Sequence, residues 1–164
     1  MECWSHEARI ELVSYLTDTV GTPVLMGKPI QGERPVEGRL TGGNLTLLAS
    51  LVGTGYLPSW RGAIVLFEAI NKAPETLDRE LLQLHQAGAF DDVVGVVLGQ
   101  FTDCTADDDD GIGVDRVIRF LVAHVDIPIL AGLPIGHGRD SRAVVFGTNA
   151  RLDPVDGTLT VNLR

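Results

Sequence analysis

The chain has 164 residues, enough for one domain with a short appendage, and 45% of them are hydrophobic, an ordinary share for a globular protein. Its formal net charge of −9 excludes the basic face that nucleic-acid binding needs and opposes contact with anionic membranes. Two cysteines, Cys3 and Cys104, lie outside any C-x-x-C pair, which excludes a disulfide scaffold and points to reduced thiols.

The opening "MECWSHEARIELVSYL" carries charges where a signal peptide needs an apolar run. The longest apolar stretch, residues 117–135, is broken by Arg119, His124, Asp126 and two prolines, so no transmembrane helix is expected. A cytoplasmic protein is the expectation. Residues 5–17 have helical spacing, with Ile10, Val13 and Leu16 on one side. "TPVLMG" is a short strand, and the prolines and glycines of "KPIQGERPVEG" mark residues 28–38 as a linker into the main domain.

Strands and helices then alternate. "GGNLTLLASLVGT" predicts a short helix with Asn44 as its N-cap. "GAIVLFE" is a continuous apolar run, the mark of a strand buried on both faces. "APETLDRELLQLHQAG" predicts a helix with Pro74 near its start and Gly88 beyond its end. "VVGVVLGQF" and "IPILAG" are further buried strands, separated by the helix "GVDRVIRFLVAHV". "AVVFG", "ARLDP" and "GTLTVNL" predict short antiparallel strands around a "DPVDG" turn. The fold class is α/β: a parallel core of three strands with helical crossovers, plus a smaller antiparallel layer.

In parallel sheets ligands bind beyond the carboxyl ends of the strands. Glu68 follows "GAIVLF", Asp103 and Cys104 follow "VVGVVLGQFT", and His137 follows "IPILAGLPIG" between two glycines. A carboxylate and an imidazole leaving one sheet edge are what a general base and its orienting acid require. The run Asp107–Asp110 invites a calcium reading, but EF-hand spacing would put Ala106 and Val117 at the two positions that need acids. It reads instead as an exposed loop whose charge favours the following helix N-terminus. No serine completes a triad. Ser5, Ser14, Ser50, Ser59 and Ser141 all lie outside any G-x-S-x-G elbow, and Cys104 lacks a glycine-rich turn.

The blocks "GGNLTLLASLVGTGYLP", "GAIVLFEAINKAPETLDRELLQL", "GVVLGQFTDC" and "IPILAGLPIGHG…FGTNARLD…GTLTV" resemble, in order and spacing, the C-terminal domain of the LD-carboxypeptidases. These serine peptidases trim murein tetrapeptides, and the microcin C self-immunity peptidases are their relatives. The likeness runs from about residue 36 to the end. It implies a swivelling β/β/α domain over 36–164 and a Ser-Glu-His triad in which Glu68 and His137 fill the family's Glu and His positions. It places the serine and the oxyanion amides in an N-terminal domain that this chain does not contain. Residues 1–35, read as helix, strand and linker, are then the tail of that domain or its replacement. Three features depart from the family: Ala69 replaces an Asp, "APETLDR" lacks a Tyr and an Arg, and "AVVFG" replaces a threonine-leucine-proline stretch.

The resemblance implies hydrolysis of the amide to the C-terminal D-Ala of a murein tetrapeptide. The expected partners are a serine-bearing domain or chain and the murein peptide, with no nucleic acid, membrane, cofactor or metal. A homodimer is also in keeping, since the two-domain relatives tend to dimerise. Loss of a triad serine lowers kcat on the order of 10⁶-fold, so the chain alone is expected to be inactive. The alternative is a non-catalytic remnant or peptide-binding module of the same fold.

Overall fold

The computed structural model describes residues 5–17, 22–104 and 112–162. Its elements are α1 (His6–Leu16), β1 (Val24–Met26), β2 (Lys28–Gln31), β3 (Val36–Asn44), α2 (Leu45–Ser50), β4 (Ala63–Ile70), α3 (Pro74–Gln86), β5 (Gly95–Thr102), α4 (Ile112–His124), β6 (Ile129–Ala131), β7 (Asn149–Asp153) and β8 (Thr158–Val161). All eight strands form one sheet in the order β1-β8-β7-β3-β4-β5-β6-β2. The run β3-β4-β5-β6 is parallel and the flanking pairs are antiparallel.

Local chemistry explains the element ends. The Ser5 hydroxyl accepts from the Ala8 amide at 3.2 Å and starts α1, and Asn44 accepts from Leu47 and starts α2. Pro74 opens α3, and Gly88, at φ +72°, takes the left-handed position that follows its end. The β7–β8 turn is held by Asp153, whose Oδ1 accepts from the amides of Val155 and Asp156.

The strand order has a geometric consequence. β1 and β2 lie at opposite ends of the sheet, yet Gly27 alone separates them in sequence. In a flat eight-stranded sheet those ends would be roughly 30 Å apart, whereas two peptide units span about 7 Å. The sheet therefore curls until its edges meet, enclosing Leu25, Leu40, Leu66, Val97, Leu130 and Leu159. A second core lies outside the curl, where Leu45, Leu48, Leu77, Leu81 and Leu121 from the helices cover Phe67 and Leu98. Each such side chain, fully withdrawn from water, contributes about 1.5–3 kcal/mol. At Gly42, φ +128°, an added Cβ would stand 2.0 Å from the Leu66 carbonyl oxygen, so the β3–β4 contact admits glycine alone.

The α/β class holds, and the antiparallel strands extend the same sheet. Three details differ from the sequence reading. Residues 28–31 are a strand, not linker, with Pro29 on a sheet edge, where its missing N–H does little harm. The parallel core has four strands, because β3 hides behind its glycines. Residues 143–147 form no strand; among the described residues the Gly147 amide pairs with the Leu40 carbonyl, and Phe146 is left half exposed. The helix α1 forms where expected, with Ile10, Val13 and Leu16 exposed and Ala8 buried. The Asp107–Asp110 run lies outside the described residues.

Candidate active site

Four residues meet at the carboxyl end of the parallel strands. Asn44 ends β3 and stands directly opposite Glu68 in the β3–β4 register. Across β4, the β5 register shifts by one residue: Phe67 pairs with Leu98, but Ala69 pairs with Phe101. Glu68 thus faces both Gly99 and Gln100 across a β-bulge. Bulges re-aim side chains, and this one changes which way β5 points its polar residue.

Alternation along β4 puts Ile64 and Leu66 inside the curl and Val65, Phe67 and Ala69 under the helices. Glu68 therefore points to the inner side, at the mouth of the curled sheet. Its carboxylate is buried at 7% exposure and held from two directions. Asn44 Nδ2 donates to Oε1 at 3.0 Å, and His137 Nδ1 lies 2.6 Å from Oε2. As a carboxylate Glu68 can only accept, so Nδ1 carries the hydrogen, and in the neutral ring Nε2 keeps its lone pair. The imidazole is half exposed, with its side chain at 46%, and among the described residues Nε2 has no hydrogen-bond partner.

His137 arrives on a strap that continues β6 along β5. The Leu133 amide donates to Leu98 O, and the Gln100 amide donates to Ile135 O at 2.7 Å. A three-residue turn about Pro134, closed by the Ile135 amide on Leu133 O, sets the strap's path. Gly136, at φ +140°, lies so near Glu68 that an added Cβ would stand 3.3 Å from Oε2. Ser141 closes the loop: its hydroxyl accepts from the Gly136 amide at 3.0 Å and donates to the Gly136 carbonyl at 2.8 Å. Next to it, the Arg142 guanidinium is hydrogen-bonded to the Glu11 carboxylate, with Nε 3.0 Å from Oε1, which ties α1 to the loop.

Glu68 and His137 are thus brought together. Asp103 is an exposed turn residue at φ +52°, and the carboxylate facing His137 is Glu68. The nucleophile candidates are occupied elsewhere. Ser5 caps α1, Ser14 and Ser50 bond back to helix carbonyls, Ser59 accepts from the Arg61 amide, and Ser141 is buried in its loop. Cys104 is buried, and burial pushes its thiol above the usual range, the reverse of what an attacking thiolate needs. Among the described residues no group of three or more His, Cys, Asp or Glu is placed to hold a metal ion, and no helix is long and apolar enough to cross a membrane. The sequence marks Asn44 as a helix cap but gives no sign of its second hydrogen bond, and nothing short of the bulge reveals Gln100.

Comparison with known proteins gives a consistent picture. The family model of the LD-carboxypeptidase C-terminal domain matches residues 37–152. A murein tetrapeptide carboxypeptidase of Pseudomonas aeruginosa is 35% identical over 119 residues, 72% of this chain and 38% of that protein. A probable murein peptide carboxypeptidase of Bacillus subtilis is 32% identical over 126 residues, 76% of this chain and 40% of that protein. The crystal structure of a muramoyltetrapeptide carboxypeptidase from Oxalobacter formigenes superposes with a TM-score of 0.80 at 31% identity, covering 96% of this chain and 54% of that one. The chain spans about two fifths of the length of the curated relatives it matches.

Proposed function

Since the chain belongs to the LD-carboxypeptidase family through its C-terminal domain, we propose that it supplies the Glu-His half of a Ser-Glu-His triad. The reaction is hydrolysis of the amide to the C-terminal D-Ala of a murein tetrapeptide, or of a closely related peptide. The observation that carries this reading is the 2.6 Å contact between His137 Nδ1 and a buried Glu68, which leaves Nε2 open at the surface.

The serine comes from an N-terminal domain outside this sequence, on another chain or a longer form of this one. Its hydroxyl attacks the scissile carbonyl while His137 Nε2 takes the proton. Glu68 holds the ring and stabilises the imidazolium. His137 then gives the proton to the departing D-Ala amine, which leaves an acyl-enzyme. Water, activated by the same nitrogen, releases the shortened peptide.

Two further features support this reading. Ala69, where the family carries Asp, packs under the helices on the face of β4 opposite Glu68, so the change removes nothing from the dyad. The outward stripe of Ile10, Val13 and Leu16 on α1, tethered beside the His137 loop, is apolar surface suited to a covering domain.

The test is release of D-Ala from a murein tetrapeptide by the purified chain, alone and mixed with a serine-bearing N-terminal domain from a relative. We expect release in the mixture only, and none when the chain carries His137→Ala. Release by the chain alone would overturn the division of labour. Absence of release from any folded mixture would leave a non-catalytic module of the same fold.

A further inference from the structure

We propose that Gln100 is the positioning residue for His137, and that the β5 bulge exists at this point to aim it. The inference rests on His137 acting as the base, as above, but stands on separate observations.

Simple alternation along β5 would send Gln100 to the helix side. Val96 and Leu98 pack under the helices and Val97 packs inside the curl, so residue 100 should again point outward. The bulge opposite Glu68 breaks that alternation, and Phe101, not Gln100, joins the helix-side core. Gln100 is thereby turned to the side of Glu68 and the His137 strap.

There it acts on the residues on both sides of His137. Its backbone amide holds Ile135 O at 2.7 Å, and its Oε1 accepts from the Gly138 amide at 2.8 Å. The side-chain amide thus extends the hydrogen-bonding edge of β5 past the last backbone bond to the strap. The fit is close. A Cβ on Gly138 would stand 2.5 Å from Gln100 Nε2, and one on Gly136 would stand 3.1 Å from Gln100 Cβ. Both glycines flanking His137 therefore pack against this one side chain. Glu68 can hold the imidazole only if the backbone delivers it to a spot 2.6 Å away, and Gln100 fixes that backbone. It does not touch the reacting atoms.

The experiment is imidazole NMR on the isolated chain, with ¹⁵N-labelled histidine, comparing wild type with Gln100→Met and Gln100→Glu. Methionine keeps the length and loses the acceptor, whereas glutamate keeps an acceptor. We expect wild type to show a single Nδ1–H tautomer for His137 and a low-field proton from the Glu68 hydrogen bond. Gln100→Met loses the low-field proton and shows mixed tautomers, with core methyl signals of Leu66 and Val97 unmoved. Gln100→Glu retains the low-field proton.

Should Gln100→Met fail to fold, Gly138→Ala attacks the clamp from the other side and is expected to give the same loss. In a hydrolysing mixture Gln100→Met lowers kcat by about 10²-fold with KM unchanged, the scale of a misplaced catalytic group. Wild-type tautomer and low-field proton in Gln100→Met, or in Gly138→Ala where Gln100→Met does not fold, would overturn the assignment. These signals come from the chain alone, so a failure of Gln100 to position His137 is told apart from a failure of the proposed hydrolysis.

Discussion

The two ends of the same parallel strands are built for different ends. Trp60 and Phe90, which lead into β4 and β5 at the amino end, pack on Phe67 from the middle of β4, with ring centroids 5.7–6.0 Å apart. The cluster is held by packing, and it tolerates a buried Trp60 indole N–H with no hydrogen-bond partner among the described residues. At the carboxyl end, Asn44, Glu68, Gln100 and His137 are held by directed hydrogen bonds at 2.6–3.0 Å, beside an open surface. One end holds the fold together and the other positions chemical groups. Substitutions should separate the two.

The largest effect is expected at the carboxyl end. Glu68→Gln should lower hydrolysis in the complemented mixture on the order of 10⁴-fold, equivalent to about 5 kcal/mol of barrier. Its melting temperature should stay within about 3 °C of wild type. A parallel collapse of melting temperature would break the comparison. Phe90→Ala should do the opposite, costing about 3–5 kcal/mol in urea unfolding while the folded fraction keeps the wild-type His137 tautomer.

Asn44 belongs to both roles and sharpens the distinction. Asn44→Ala should cost about 1 kcal/mol through the lost α2 cap and also weaken activity. Asn44→Asp keeps the cap but sets a second carboxylate against buried Glu68, so activity should fall and stability should fall with it at neutral pH. Cys104, at the carboxyl end but withdrawn from solvent, should react slowly with iodoacetamide at neutral pH, with the rate rising as the solution is made alkaline.

The smallest effect lies away from both ends. The Asp156 amide, with the Val155 amide and Arg151, holds the Asp153 carboxyl below its usual range. Its contribution to stability is present above the ordinary carboxylate range and is lost as pH falls through the lowered value. The melting difference between wild type and Asp153→Asn should therefore be small near neutrality and close on acidification.

The sequence made the parallel strands legible because β4 and β5 are unbroken apolar runs, and strand order then put Glu68 and His137 on one edge. It hid β3, because Gly38 closed the stretch read as linker and Gly42 and Gly43 opened the block read as a helix, whereas neighbouring backbone comes too close for a Cβ at Gly38 and Gly42. It placed α1 but left open what its apolar side meets, since three apolar residues at helical spacing declare a face and not its partner. It could not disclose Gln100, because a bulge is a relation between two strands and leaves no mark in either one alone.

The single-residue link at Gly27 bears on how the molecule behaves among its neighbours. A sheet that ends in long free edges offers a template to any unfolded chain that drifts past. Here the two edge strands are three and four residues long, one carries Pro29, and they run into one another through Gly27. Short edges and an edge proline leave little unpaired backbone to recruit a stray strand, the means by which sheet proteins limit edge-to-edge aggregation.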